Sequence, residues 1–314
     1  MKAYYKTSFK KNEKSQYGEI ADPIAAAGQY LIEVKAVSIN PVDYKLNKIN
    51  TGIFPGAKLP KIVGSDFAGI VQKTAEPNSK FKVGDRVYGA VSIFTGKTGA
   101  LAEYLVTDTK NMRLIPEGMS FEQAASLPVA SLTALNGLRR LKISKGSKLL
   151  INGATGGVGH FAIQIAKAKG AIVTASCSEK NSELAKKLGA DTTIGYKIED
   201  AQHITAEYEA IMDAWGQMKR KDIIRLLKKD GRYASPLLLY VPNFLTQLIW
   251  FFTRRYFTSS NMRAMEEDFQ EIEKLFSENK LKPIIENTFT LENAAEAFEF
   301  TENGKPRGKV IVLI

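Results

Sequence analysis

Four glycines fall within seven positions, Gly153, Gly156, Gly157 and Gly159, in the run KLLINGATGGVGHFAIQIAKAKG (148–170). Leu149, Leu150 and Ile151 ahead of them read as a buried strand. Val158, Phe161, Ala162, Ile165 and Ala166 behind them form a stripe at helical spacing. A strand-to-helix turn built of residues without Cβ lets a pyrophosphate approach backbone amides at the positive end of a helix. The chemistry implied is dinucleotide binding, with Gly153, Thr155, Gly156, Gly157, Val158 and Gly159 as the cradle. The spacing, GxxGGxG, departs from the common GxGxxG fingerprint, so the signal lies in the strand–turn–helix context.

The following strand, AIVTASC, selects the dinucleotide. An NAD site places Asp or Glu at the end of this strand to hold the ribose 2′-hydroxyl. Here the end reads Ala175, Ser176, Cys177, Ser178, with Lys180 close behind. Small hydroxyls and a lysine welcome a 2′-phosphate, which favours NADPH over NADH. Glu179 argues the other way, because a shifted register would bring it to the ribose.

Other reactive groups are scarce. A catalytic zinc wants three Cys, His or carboxylate ligands, and the chain has one cysteine, Cys177, and two histidines, His160 and His203. No metal site is expected. His160, without an acidic partner nearby in sequence, reads as a surface or internally satisfied histidine. A lone cysteine forms no internal disulfide, and the N-terminal run MKAYYKTSFKKNEK lacks an apolar signal core. Both point to a cytoplasmic location.

The elements that must position these groups follow from periodicity. Short β-type runs fill the first third: YLIEVKAVSI (30–39), GSDFAGIVQKT (64–74), GDRVYGAV (84–91) and LAEYLVT (101–107), punctuated by turn residues. They predict an irregular, mostly antiparallel domain. Near Ser120 the texture changes. SFEQAASLPVASLTALNGLRRL offers a Ser cap, Glu122 early in the helix and a Leu/Ala stripe. From Lys148 strands and helices alternate, the pattern of a parallel sheet built from βαβ units. GKVIVLI (308–314) is a lone final strand. The fold class expected is α/β, and the length of 314 residues supports two domains.

Several motifs in order, SINPVDYK (38–45), GSDFAGIV (64–71), FKVGDRVYG (81–89), LPVASLTAL (127–135), INGATGGVG (151–159), ELAKKLGAD (183–191) and GKPRGKVIVLI (304–314), resemble the medium-chain dehydrogenase/reductase superfamily. Within it they are similar to the zinc-free quinone oxidoreductase and enone reductase branch. The resemblance implies a GroES-like, mostly β catalytic domain from residues 1–120 and 286–314, and a Rossmann-type, doubly wound cofactor domain at 121–285. Zinc-containing relatives carry Cys where this chain has Asn40 and a His–Glu pair where it has Ser65 and Asp66. Their four-cysteine lobe has no counterpart here.

The activity implied is zinc-independent hydride transfer from NADPH to a quinone or an α,β-unsaturated carbonyl. The resemblance places Asn40 and Asp43 beside the nicotinamide and Lys45 near the substrate as the oxyanion donor, with Tyr44 as the alternative. It places Thr133 near the nicotinamide, and Ser176, Lys180 and Tyr196 around the adenosine phosphate, where Ser178 also belongs. Two other readings stand beside it. One is an enoyl-thioester reductase, the other a catalytically silent protein that binds NADPH or associates with membranes.

Lys and Arg number 44 against 33 Asp and Glu, a net charge of +11, spread along the chain without a zinc finger, RNP sequence or basic arm. Nucleic acid is therefore not an expected partner. The apolar run 236–257 is interrupted by Pro242, Asn243 and Gln247, too early for a membrane span. Phe244, Leu245, Leu248, Ile249, Phe252 and Tyr256 fall on one helical face, which suits a lid, a homodimer contact or a peripheral membrane surface.

Overall fold

The computed structural model describes residues 1–45, 58–74, 79–92, 99–196, 208–236, 255–260, 265–304 and 306–314. The chain divides into two compact units, Met1–Val129 with Ile285–Ile314, and Ala130–Ile284.

In the first unit the alternation in QYLIEVKAVS becomes strand β3 (Gln29–Ser38), which buries Tyr30, Ile32, Val34 and Ala36 on one face. It stands in a seven-stranded sheet with β5 (Asp66–Thr74), β6 (Arg86–Ala90), β7 (Tyr104–Asp108), β8 (Met112–Leu114), β15 (Ile285–Thr290) and β16 (Lys309–Leu313). Every pairing is antiparallel except β15 with β16. The final run GKVIVLI thus returns to the first unit as β16, beside β3. Strands β1 (Lys2–Lys6), β2 (Gln16–Glu19) and β4 (Lys61–Ile62) form a separate small sheet.

Ser120 caps the helix Phe121–Ser126 as its sequence suggests. The Gln123 amide donates to Ser120 Oγ at 3.2 Å, and the Ser120 amide donates to Gln123 Oε1 at 3.1 Å. The reciprocal partner is Gln123, three residues on, with Glu122 in the first turn.

In the second unit β9 (Lys148–Asn152), β10 (Ile172–Ser176), β11 (Thr192–Ile194), β12 (Tyr208–Asp213), β13 (Leu227–Ser235) and β14 (Tyr256–Ser259) form a parallel sheet in the order β11-β10-β9-β12-β13-β14. Chain order reverses between β9 and β12, so their carboxyl ends flank the crevice where doubly wound sheets take ligands. Leu149, Leu150 and Ile151 are fully buried, as a strand covered on both faces requires.

Tyr256 is a correction. It lies in β14 opposite Arg232, whose guanidinium sits 4.5 Å from the ring centroid, and not on a helical face. The remainder of the expected apolar helix, residues 237–254, lies outside the described residues. Among the described residues no helix is long and apolar enough to cross a membrane.

Candidate functional site

The two units each hold a group of chemically competent residues. In the second unit β9 runs into Gly153, whose φ of +69° and close approach to Trp215 both demand glycine; an added Cβ would lie 3.0 Å from Trp215 Cβ. A Cβ on Gly159 would lie 2.2 Å from the Gly153 carbonyl oxygen. The turn is folded on itself there, at the start of the helix Gly159–Ala168. The Gly156 amide donates to the Gly153 carbonyl at 3.1 Å, and the Ala154 amide donates to the Ser176 carbonyl at 3.1 Å, tying turn to next strand. A Cβ on Gly156 would meet only the Gly153 carbonyl, at 3.4 Å, which leaves that position open for a ligand.

His160, fully buried, sets its Nδ1 3.0 Å from the Gly156 carbonyl, a contact that needs the proton on Nδ1. It is an internal brace of the turn. Thr155 is buried and accepts from Asn181 Nδ2 at 3.2 Å. Ser178 Oγ and Asn181 Oδ1 are buried without a hydrogen-bond partner among the described residues. Such groups are rare unless a ligand or water completes them. With the bare turn beside them, they fit a dinucleotide's phosphate and hydroxyl groups. Asn181 carried no sequence signal; its side chain reaches Thr155 only because β10 folds alongside β9.

The phosphate-end residues divide. Lys180 is exposed, on the same short turn as the exposed Glu179. Ser176 is fully buried and donates to the Gly195 carbonyl at 3.3 Å, so its hydroxyl is committed inside the unit. Tyr196 is 40% exposed, with its ring centroid 6.0 Å from that of Trp215, and burial of its inner part pushes its hydroxyl pKa up. Thr133 is buried in the helix Pro128–Arg140. The structure gathers Gly153, Thr155, Gly156, Gly157, Val158, Gly159 and Ser178 in and around the turn.

In the first unit β3 ends at Ser38, and the chain turns through Asn40 into the short helix Pro41–Lys45. The Asn40 amide donates to Asp43 Oδ2 at 2.8 Å while the Asp43 amide donates to the Asn40 carbonyl at 2.9 Å, so the loop locks itself. Asn40 is 2% exposed. Its Nδ2 donates to Asp66 Oδ2 at 2.8 Å and to Ser65 Oγ and the Ser38 carbonyl at 3.3 Å, and its Oδ1 accepts from Lys309 Nζ at 2.6 Å. Every polar atom of that side chain is used. Lys309 Nζ also stands 3.7 Å from Asp66 Oδ2, and Asp66 Oδ1 accepts from the Val129 amide at 3.0 Å.

Burial governs the titration of this cluster. It pushes Asp43 up to about 7, with the Asn40 amide opposing and the Asp66 charge adding. Asp66 rises to about 6 for the same reason, opposed first by Lys309. Burial lowers Lys309 against the pull of both carboxylates. Tyr44 is half-buried and rises to about 12, from burial and then the charge of Glu302. Lys45 is exposed at the helix end. Asn40 and Asp43 thus belong to a buried cluster that Lys45 does not enter. Asp66 and Lys309 are its members that sequence reasoning did not select for this role.

A family model described as zinc-binding dehydrogenase matches residues 188–312, and one described as alcohol dehydrogenase GroES-like domain matches residues 26–117. The chain is 32% identical over 303 residues to a 2-methylene-furan-3-one reductase of Solanum lycopersicum, covering 93% of this chain and 74% of that protein. The same identity and coverage hold for a chloroplastic NADPH-dependent alkenal/one oxidoreductase of Arabidopsis thaliana. The structure matches that of the quinone oxidoreductase from Coxiella burnetii with a TM-score of 0.88 and 32% identity, covering 100% of this chain and 99% of the other.

The first of those descriptions raises the question of a metal. Asn40, Ser65 and Asp66, which the sequence resemblance sets against the ligands of zinc-containing relatives, are a poor donor set for zinc. An amide and a hydroxyl are weak zinc donors, and the ammonium of Lys309 already touches two of the three residues. Among the described residues no three Cys, His, Asp or Glu side chains cluster to hold a metal ion.

Proposed function

We propose the function of this protein from one premise: the chain belongs to the medium-chain dehydrogenase/reductase superfamily, in its quinone oxidoreductase and enone reductase branch. It is an NAD(P)H-dependent oxidoreductase that reduces a quinone or an α,β-unsaturated carbonyl. We read the preferred cofactor as NADPH and the reduction as zinc-independent.

The observation that carries the reading is the glycine turn with unsatisfied Ser178 Oγ and Asn181 Oδ1 beside it. Backbone amides from Gly157 to Gly159, beyond the committed Ala154 and Gly156 amides, hold the pyrophosphate at the helix end. Ser178, Lys180 and Tyr196 hold the ribose 2′-phosphate. When bound, the nicotinamide supplies the hydride. As the acceptor is reduced, an electron pair moves onto its oxygen. The Lys45 ammonium donates to that oxygen, and a proton from solvent completes the reduction. An already electrophilic acceptor needs no Lewis acid for this step, unlike an alcohol that must lose its proton.

Oxidation of NADPH and of NADH, each with a panel of quinones, enals and enoyl thioesters in the presence of a chelator, tests the reading. We expect turnover with quinones or enals, faster with NADPH. Turnover confined to enoyl thioesters would replace the substrate class. Tight NADPH binding with no turnover across the panel would make this a binding protein, and activity abolished by the chelator would end the zinc-independent reading.

A further inference from the structure

A lysine ammonium buried inside a protein is costly unless opposite charge and hydrogen-bond acceptors surround it. Lys309 is 3% exposed and comes from the last strand, in a run, KVIVL, that is otherwise aliphatic. Strand pairing brings it into place: the Ile39 amide donates to the Val310 carbonyl, and Ser38 stands opposite Ile311. Its neighbours are Asn40 Oδ1 at 2.6 Å and Asp66 Oδ2 at 3.7 Å. Asp43, whose Oδ1 is buried with no hydrogen-bond partner among the described residues, adds a second carboxylate to the cluster.

We infer that Lys309 is a tethered cation at the centre of this cluster, balancing the Asp66 carboxylate and fixing the Asn40 side chain. An ammonium offers three donors and a positive charge, and it needs no thiolate or imidazole. Its tether is the sheet, so the cation cannot be lost to a chelator. Lys309 is a positioning residue: it acts through Asn40, and Asn40 through its backbone bond to Asp43, on the loop that carries Tyr44 and Lys45. The inference rests on the zinc-independent reading above.

Removal of the charge exposes what it does. Lys309→Ala leaves Asp66, Asp43 and Asn40 Oδ1, an all-oxygen set that suits a hard divalent cation such as Mn²⁺. We expect Lys309→Ala to lower Tm by about 10 °C, and millimolar MnCl₂ to return about 5 °C of it while leaving the unsubstituted protein unmoved. Lys309→Arg should retain most of the stability. The double variant Lys309→Met/Asp66→Asn, which removes both charges, should melt above Lys309→Met alone.

Strictly additive Tm changes for Lys309→Met and Asp66→Asn would overturn the inference, as would an equal response to Mn²⁺ in both proteins. If Lys309→Ala does not fold, the double variant decides: a folded double variant supports the charge pairing, and one that is equally unfolded refutes it. One zinc per chain retained through desalting and lost on Asp66→Asn would also refute it. These readouts are independent of turnover. A blank substrate panel leaves them standing, and additive melting leaves the reductase reading standing.

Discussion

Asn152 Nδ2 donates to Asp213 Oδ1 at 2.7 Å, joining the carboxyl ends of adjacent parallel strands β9 and β12. The same carboxylate accepts from the Gly216 amide at 2.8 Å, the Met218 amide at 2.9 Å and the Tyr233 hydroxyl at 2.8 Å. One buried side chain thereby fastens β9, β12, β13 and the loop whose Trp215 packs on Gly153. Asp213→Ala should cost about 3 kcal/mol, from several charge-assisted hydrogen bonds lost and their donors left buried. A thermal melt should show a drop of roughly 10 °C.

Gly159 and Gly156 predict different outcomes. Gly159→Ala forces its Cβ against the Gly153 carbonyl and the Ala154 backbone, so the turn itself must move. Its NADPH dissociation constant should rise at least about tenfold, together with a lower Tm. Gly156→Ala meets only an ordinary contact. It should keep its Tm and still bind NADPH less tightly in a fluorescence titration, because the methyl occupies the phosphate's approach.

The Asp43 carboxyl gives a pH signature. Its folded pKa of about 7 lies above the ordinary 3.8, so the folded state holds this proton more tightly than the unfolded chain. The resulting stability is present below pH 4 and is lost as pH rises through 7. Asp43→Asn removes that dependence. Melts from pH 4 to 8 should show the variant gaining on the parent protein by at most about 1.4 kcal/mol per pH unit, with the gain levelling above 7. A constant difference across the range would remove Asp43 from the titrating groups.

Cofactor choice should follow Ser178 and Lys180. Substituting both by Ala removes a hydroxyl and a cation from the proposed 2′-phosphate site. The ratio of kcat/KM for NADPH to that for NADH should fall about tenfold or more, with NADH kinetics little changed. An unchanged ratio would place the phosphate elsewhere.

Lys45 is exposed at the end of the helix Pro41–Lys45, outside the buried cluster, so its loss should not unfold the first unit. Lys45→Met should lower kcat by about 100-fold while leaving the NADPH dissociation constant alone. Equal losses in both would indicate damage to cofactor binding in place of a missing oxyanion donor.

Much of the fold was legible because it is written in local chemistry. A strand-to-helix turn crowded with glycine reads the same in isolation as in the folded unit, since the need for a missing Cβ belongs to the backbone at that point. Alternation in 29–38 and rotation of strand and helix after Lys148 likewise express which faces must be covered. Ser120 declared its helix, with Gln123 as the reciprocal partner.

What depends on distant pairing was not legible. Tyr256 fits a helical stripe by spacing, yet it became a strand residue because β13 offered it hydrogen bonds and Arg232 a cation for its ring. Ser176 ends its strand where a phosphate ligand was expected, and its burial beneath Gly195 depends on β11 lying alongside. Sequence alone determined the two-domain plan, the glycine-rich strand–turn–helix and the scarcity of Cys and His, because residue type and short spacing decide those. Tertiary structure alone decided that Lys309, a lysine among aliphatic residues at the chain's end, meets Asn40 across 269 positions of sequence. Burial and charge are properties of surroundings, and those exist only once the sheet has closed around them.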